Sequence, residues 1–199
     1  MQRSRQAFLA LACGLLLALT ALPAGAARRA APDAPASCPV VVKNGDFEAQ
    51  AANWTQSGAS FQLITDFNPR TGRYSAELGG VASSKHSITQ RLTLPARKPL
   101  YLRLWWQQDT EEFAPSFADK LTILLLNTDG STLATLGEFG NGEWPPPPWE
   151  LEVYDISAHA GRTVDLRFEA TNDNIDPTRF YIDDVSIPTC GLYLPLTRR

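Results

Sequence analysis

The sequence predicts an all-β chain folded as a two-sheet antiparallel β-sandwich, and three observations predict it. Residues 88–94, 100–107 and 163–170 alternate apolar with polar side chains at period two. The turn-forming pairs Asn68-Pro69, Thr71-Gly72, Asp129-Gly130 and Asn141-Gly142 punctuate the stretches between strands. No segment carries a helical period, and residues 156–160 have room for one turn. About nine or ten short strands with two-faced alternation bury their apolar sides by stacking as two layers.

Taken in order, strands are expected at 38–43, 60–65 and 73–78. In the strand at 88–94, Ile88, Leu92 and Leu94 take one side and Thr89, Arg91 and Thr93 the other. Residues 100–107 send Leu100, Leu102, Leu104 and Trp106 one way and Tyr101, Arg103, Trp105 and Gln107 the opposite way. Residues 121–126 are apolar on both faces, which suits a central strand covered on its outer side by loops. Strands at 132–137 and 149–154 follow. Val164, Leu166, Phe168 and Ala170 then alternate with Thr163, Asp165, Arg167 and Glu169, and residues 179–187 close the set.

The N-terminus reads as a processing signal. Arg3 and Arg5 precede a nearly unbroken apolar run at 7–22, Pro23 breaks it, and Ala24-Gly25-Ala26 reads as a small-residue cleavage site. The run is shorter than the about 20 residues that a membrane span requires, so residues 1–26 are expected to be a signal peptide and the chain to be secreted, extracellular or held at the cell surface. Lipid modification at Cys13 would need cleavage inside the apolar core. Residues 27–37 read as a disordered spacer, 38–190 as one module too short for two ordinary domains, and 191–199 as a tail. That tail is apolar, carries Pro195 and ends in two arginines; it docks as an edge strand, serves as a retention or sorting tag, or frays.

Charge narrows the partners. Of 18 basic and 21 acidic residues, the first 26 positions hold only Arg3 and Arg5, so the remainder is more acidic than the whole chain's −3. A mildly acidic surface without a basic cluster argues against nucleic acid and anionic membranes. Once Cys13 leaves with the signal, Cys38 and Cys190 remain, an even count in an oxidising compartment, where a disulfide is expected. It would contribute at most about 5 kcal/mol in the chain-entropy account. The alternative is two unpaired buried thiols.

Each cysteine flanks an acidic motif, Asn44-Gly45-Asp46-Phe47-Glu48 at the start and Ile182-Asp183-Asp184-Val185 at the end. If the cysteines bond, the two motifs lie together and their carboxylates can converge. Calcium takes six to eight oxygens from carboxylates and loop carbonyls, and adjacent carboxylates in a final strand repel one another without a cation. The alternative is that Asp183 and Asp184 only accept hydrogen bonds from loop amides.

These motifs occur in a fixed order with others: Trp54, residues 71–78, residues 149–157, Ala160-Gly161 and residues 164–168. The ordered set, across 38–188, resembles the galactose-binding-like jelly rolls of carbohydrate-binding modules and of adhesive extracellular modules of the MAM type. The resemblance implies a jelly roll with a structural calcium held by an acid of the opening motif, Asp46 or Glu48, and one of the closing pair, Asp183 or Asp184.

Glycan binding needs aromatic platforms beside planar hydrogen-bonding groups. The outward row Tyr101, Arg103, Trp105 and Gln107 supplies that mixture, and Arg167 with Glu169 is expected to share the surface. Alternatively, loops 108–118 or 140–149 cover Trp105. Trp144 and Trp149 bracket four prolines, which either hold two indoles apart on a rim as a stiff polyproline II segment or form a rigid packed loop. Trp54 is expected in the core.

Catalysis finds little support. His86 and His159 are far apart in sequence and outside any catalytic motif, no Gly-x-Ser-x-Gly elbow occurs, and His-rich zinc spacing is missing. Glu111 and Glu112 are adjacent, whereas a glycosidase pair faces across roughly 5–10 Å. The expected function is therefore a secreted, calcium-stabilised, non-catalytic module that binds a glycan or extracellular polymer. The runner-up is an adhesive module that binds a cell-surface protein.

Overall fold

A computed structural model describes residues 40–112, 118–142 and 148–189. Ten strands form: β1 (Thr55–Ser57), β2 (Ile64–Thr65), β3 (Ser75–Gly79), β4 (Lys85–Thr93), β5 (Tyr101–Thr110), β6 (Lys120–Leu126), β7 (Thr132–Gly140), β8 (Glu150–Asp155), β9 (Thr163–Thr171) and β10 (Thr178–Ser186). A single 3-10 turn, Ser157–His159, occupies the place where the sequence allowed one. The strands build two five-stranded sheets, β1-β4-β9-β6-β7 (sheet I) and β2-β3-β10-β5-β8 (sheet II), with antiparallel pairing throughout.

Alternation places the core. Ile88, Leu92, Val164, Leu166, Phe168, Leu121 and Ile123 of sheet I face Leu78, Leu102, Leu104, Phe180 and Ile182 of sheet II, all buried. Truncating such a leucine to alanine costs about 2–5 kcal/mol. Trp54 joins this core, 5.3 Å from the Phe47 ring and 5.9 Å from Phe168. No helix among the described residues is long and apolar enough to cross a membrane.

Two strand expectations need correction. Residues 40–43 form bends and turns instead of a strand, and the segment at 60–65 is strand only at Ile64–Thr65, while Thr55–Ser57 pairs with β4. At Lys43 the backbone is taken by a side chain, because Gln90 Oε1 accepts its N–H and Gln90 Nε2 donates to its carbonyl, each at 2.8 Å. Asn44 then ties up the turn that follows. Its Nδ2 donates to the carbonyls of Gln50 and Ala52 at 2.7 and 3.0 Å, and its Oδ1 accepts from the Ala49 N–H at 2.8 Å. A side chain that satisfies the backbone this way favours turns over a ladder.

The opening motif nevertheless reaches the last strand. Val185 N–H donates to the Gly45 carbonyl at 2.8 Å, and Phe47 is fully buried beside Trp54. The segments expected to be signal peptide, spacer and tail, and both Cys38 and Cys190 with their expected disulfide, lie outside the described residues.

Candidate functional site

The outward row of β5 meets β10 in register, Gln107 opposite Tyr181 and Trp105 opposite Asp183. A strap at residues 66–73 lies over this row. The Arg70 guanidinium sits 3.7 Å above the Trp105 ring, Asn68 Nδ2 donates to Gln107 Oε1 at 2.9 Å, and Phe67 stacks on Tyr181 at 6.3 Å and 19°. The sequence read this row as an open platform, with loops 108–118 or 140–149 as the alternative cover; among the described residues it is this strap that lies on Trp105. Tyr101 and Arg103 remain half-buried beyond it. Beneath Phe67, Tyr181 is fully buried, and burial first, then Glu77, pushes its phenol above the ordinary range.

Arg167 and Glu169 do not share this surface. They project from β9 on the outer side of sheet I, where Lys85 pairs with Glu169 at 2.8 Å and Arg167 Nε donates to Thr89 at 3.1 Å. Their alternation was read correctly, but which sheet β9 joins is a matter of topology. Trp149 is half-buried just before β8; Trp144 lies outside the described residues.

Three of the four carboxylates expected at a cation, Glu48, Asp183 and Asp184, meet one turn, residues 70–74. Asp183 Oδ2 accepts the N–H groups of Arg70 and Thr71 at 3.0 and 3.2 Å, and Glu48 Oε1 accepts those of Arg73 and Tyr74 at 2.8 and 2.9 Å. Adjacent strand residues point to opposite faces, yet Asp184 turns toward the same strap. A β-bulge after Asp183 and a positive φ of 50° at Asp184 re-aim it. Arg70 then bridges Asp184 Oδ2, and Thr71 Oγ1 donates to it. Asp46 points to solvent.

The electrostatics follow the burial. Asp183 is fully buried, which pushes its carboxyl up to about 6 against the pull of the Thr71, Asp184 and Arg70 amides. Glu48 stays exposed, and the amides of Tyr74 and Arg73 hold it below the usual carboxylate range. Gly72 is required beside it, because at φ 63° a Cβ would overlap the Glu48 carboxylate.

A second acidic group was not expected. Glu112, Asp119 and Asp173 bring ligand oxygens within 4.8 Å of one another and could hold a metal ion. Asp119 is fully buried, and its two oxygens accept the N–H groups of Asp173 and Thr178 at 2.7 and 2.9 Å. The three acids are scattered in sequence and meet only where β5, β6, β9 and β10 end together.

Sequence reasoning also missed a cavity of about 250 Å³, lined by Trp106, Gln108, Glu138, Phe139, Gly142 and Glu150 among others. Trp106 was assigned to the core by its alternation, and it is buried. The two neighbouring tryptophans of β5 were the available signal, but nothing in the sequence tells which one borders a cavity.

No family model and no curated protein matches the sequence. Solved structures do. TmCBM61, solved in complex with β-1,4-galactotriose, superposes with a TM-score of 0.54 at 18% identity, covering 75% of this chain and 97% of that one. The K3 cleaved adhesin domain of Lys-gingipain from Porphyromonas gingivalis gives 0.52 at 15%, over 76% and 99%. Arabinose-bound MgGH51 α-L-arabinofuranosidase gives 0.51 at 16%, over 75% of this chain and 26% of that one. The chain shares its two-sheet β-sandwich fold with these solved structures.

Proposed function

We propose that the chain is a secreted, non-catalytic carbohydrate-binding module stabilised by calcium. The observation that carries this reading is the match to 97% of TmCBM61, a module solved with a bound oligosaccharide. Of the residues weighed for catalysis, Glu111 pairs with Arg179 at 3.3 Å, and buried His86 accepts the Gly79 N–H.

Calcium in this reading would sit at the turn 70–74 and take as ligands Glu48 and Asp183, which accept turn amides there. A buried carboxylate with raised proton affinity is one that a divalent cation would stabilise in its ionised form, and a turn offers carbonyl oxygens. Asp46 could join from solvent, while Asp184 already has the Arg70 cation. The Glu112, Asp119 and Asp173 group is the competing seat.

A glycan array on the mature protein, with and without calcium, tests the reading. Binding to at least one glycan is expected, and a blank array sinks it. A second reading, a protein-binding adhesive module, draws on the likeness to the gingipain adhesin domain and on the strap over the β5 row. A blank array together with retained binding to an extracellular protein would favour it.

A further inference from the structure

The two sheets end in edge strands that face each other, β7 and β8, at a seam where a Cβ on Gly137 would overlap the Tyr154 hydroxyl. The cavity of about 250 Å³ opens along this seam, walled by Trp106 and Gln108 of β5, Glu138 and Phe139 of β7, and Glu150 of β8. We propose that this cavity is the sugar subsite, and that it takes one neutral monosaccharide unit from the end or a branch of a glycan. The proposal rests on the carbohydrate-binding reading and gives it a location and a ligand class.

Four features carry it. The volume lies below the roughly 300 Å³ at which pockets for drug-sized ligands begin, so one sugar ring fits and a chain does not. Trp106 and Phe139 form an aromatic wall, their rings 4.1 Å apart and tilted by 31°, and sugar C–H faces pack on such rings. Trp106 is 5% exposed, and its indole N–H has no acceptor among the described residues. An unmade buried hydrogen bond costs about 1–3 kcal/mol, and a sugar oxygen that reached the indole N–H as the ligand seats would offset it.

Glu138 and Glu150 supply the fourth feature. They stand on opposite sheets with the cavity between them, and both are exposed at its rim. Carboxylates accept hydroxyl protons in charge-assisted bonds, and two of them repel an approaching uronate or sulfate. Neutral sugars therefore enter and acidic ones do not. On the outer side of β5, the strap already covers the Trp105 and Gln107 end of the row.

Calorimetric titration of the mature protein tests this with β-1,4-galactotriose, a panel of other neutral oligosaccharides, and a galacturonate trimer. A neutral probe is expected to bind and the galacturonate to fail. Trp106→Phe, which keeps a ring and removes the N–H, and Glu150→Gln should each weaken binding about tenfold or more. Glu150→Gln should do so at an unchanged melting temperature, while Glu169→Gln on the outer side of sheet I should bind as the native protein does. Native affinity in both cavity variants overturns the subsite and leaves the carbohydrate reading standing. Equal or tighter binding of galacturonate overturns the ligand class, and failure of every neutral and acidic probe overturns both readings.

Discussion

Val185 donates its backbone N–H to the Gly45 carbonyl at 2.8 Å, which fastens the opening motif to the last strand. The contact is close enough that a Cβ on Gly45 would overlap the Val185 carbonyl oxygen. Only glycine allows the two backbones to meet there. Gly45→Ala is expected to lower stability by about 1–3 kcal/mol, the usual range for overpacking, read as a lower urea midpoint at an unchanged m-value. A native midpoint would show that the fold does not depend on this docking.

Trp105 and Arg70 are expected to be energetically coupled. The guanidinium lies 3.7 Å from the ring centroid while also bridging Asp184. Trp105→Ala should cost about 1–2 kcal/mol, and a double-mutant cycle with Arg70→Ala should return a coupling of about 0.5–1 kcal/mol. Glycan affinity should be untouched. A coupling of zero would mean that the strap does not rest on the indole.

Asp183 sets a pH dependence. In the unfolded chain the carboxyl titrates near 3.8, and in the fold near 6. Between those values the folded state holds the extra proton, so this group's contribution to stability falls as pH rises through the window. Measured against the native protein without calcium, Asp183→Asn should therefore be more favourable at pH 7 than at pH 4.5, by about 2 kcal/mol. Calcium at the turn would oppose the penalty. Chelator should lower the native melting temperature at pH 7, and Asp183→Asn should erase that response while Asp119→Asn keeps it. A pH-independent difference would refute the burial effect, and indifference to chelator would refute the cation.

His86 provides an opposite slope. Its imidazole is 2% exposed, burial holds its pKa below 6.5, and Nδ1 accepts the Gly79 N–H at 3.2 Å. The neutral ring is the one that fits, so its contribution is full above pH 6.5 and fades as pH falls below it. The chain holds two histidines, which makes the assignment simple in an NMR titration. A midpoint for His86 at or above 6.5 would contradict the buried geometry.

Strands were legible wherever alternation was long, as in β5 and β9, because period two reports which side chains face the partner sheet. The opening segment was misread as a strand because the distant Gln90 side chain takes the Lys43 backbone N–H and carbonyl, an effect that hydropathy does not carry. The two closing aspartates were recognised as a feature, but their shared direction depends on the bulge at Asp184, which no pairwise pattern announces. Arg167 and Glu169 were found as an outward pair and assigned to the wrong surface, since alternation gives a face and says nothing of the sheet.

By itself, the sequence determined the class: short two-faced strands that must stack, an opening and a closing acidic motif, and turns between them. Local chemistry suffices for that, because side-chain period and turn propensity are properties of neighbours in the chain. The tertiary structure alone decided that the strap occupies the Trp105 row, that Glu48 and Asp183 share one turn, and that Trp106 borders a cavity at the seam. Each of those joins residues far apart in sequence, and such contacts are set by how the two sheets close over one another.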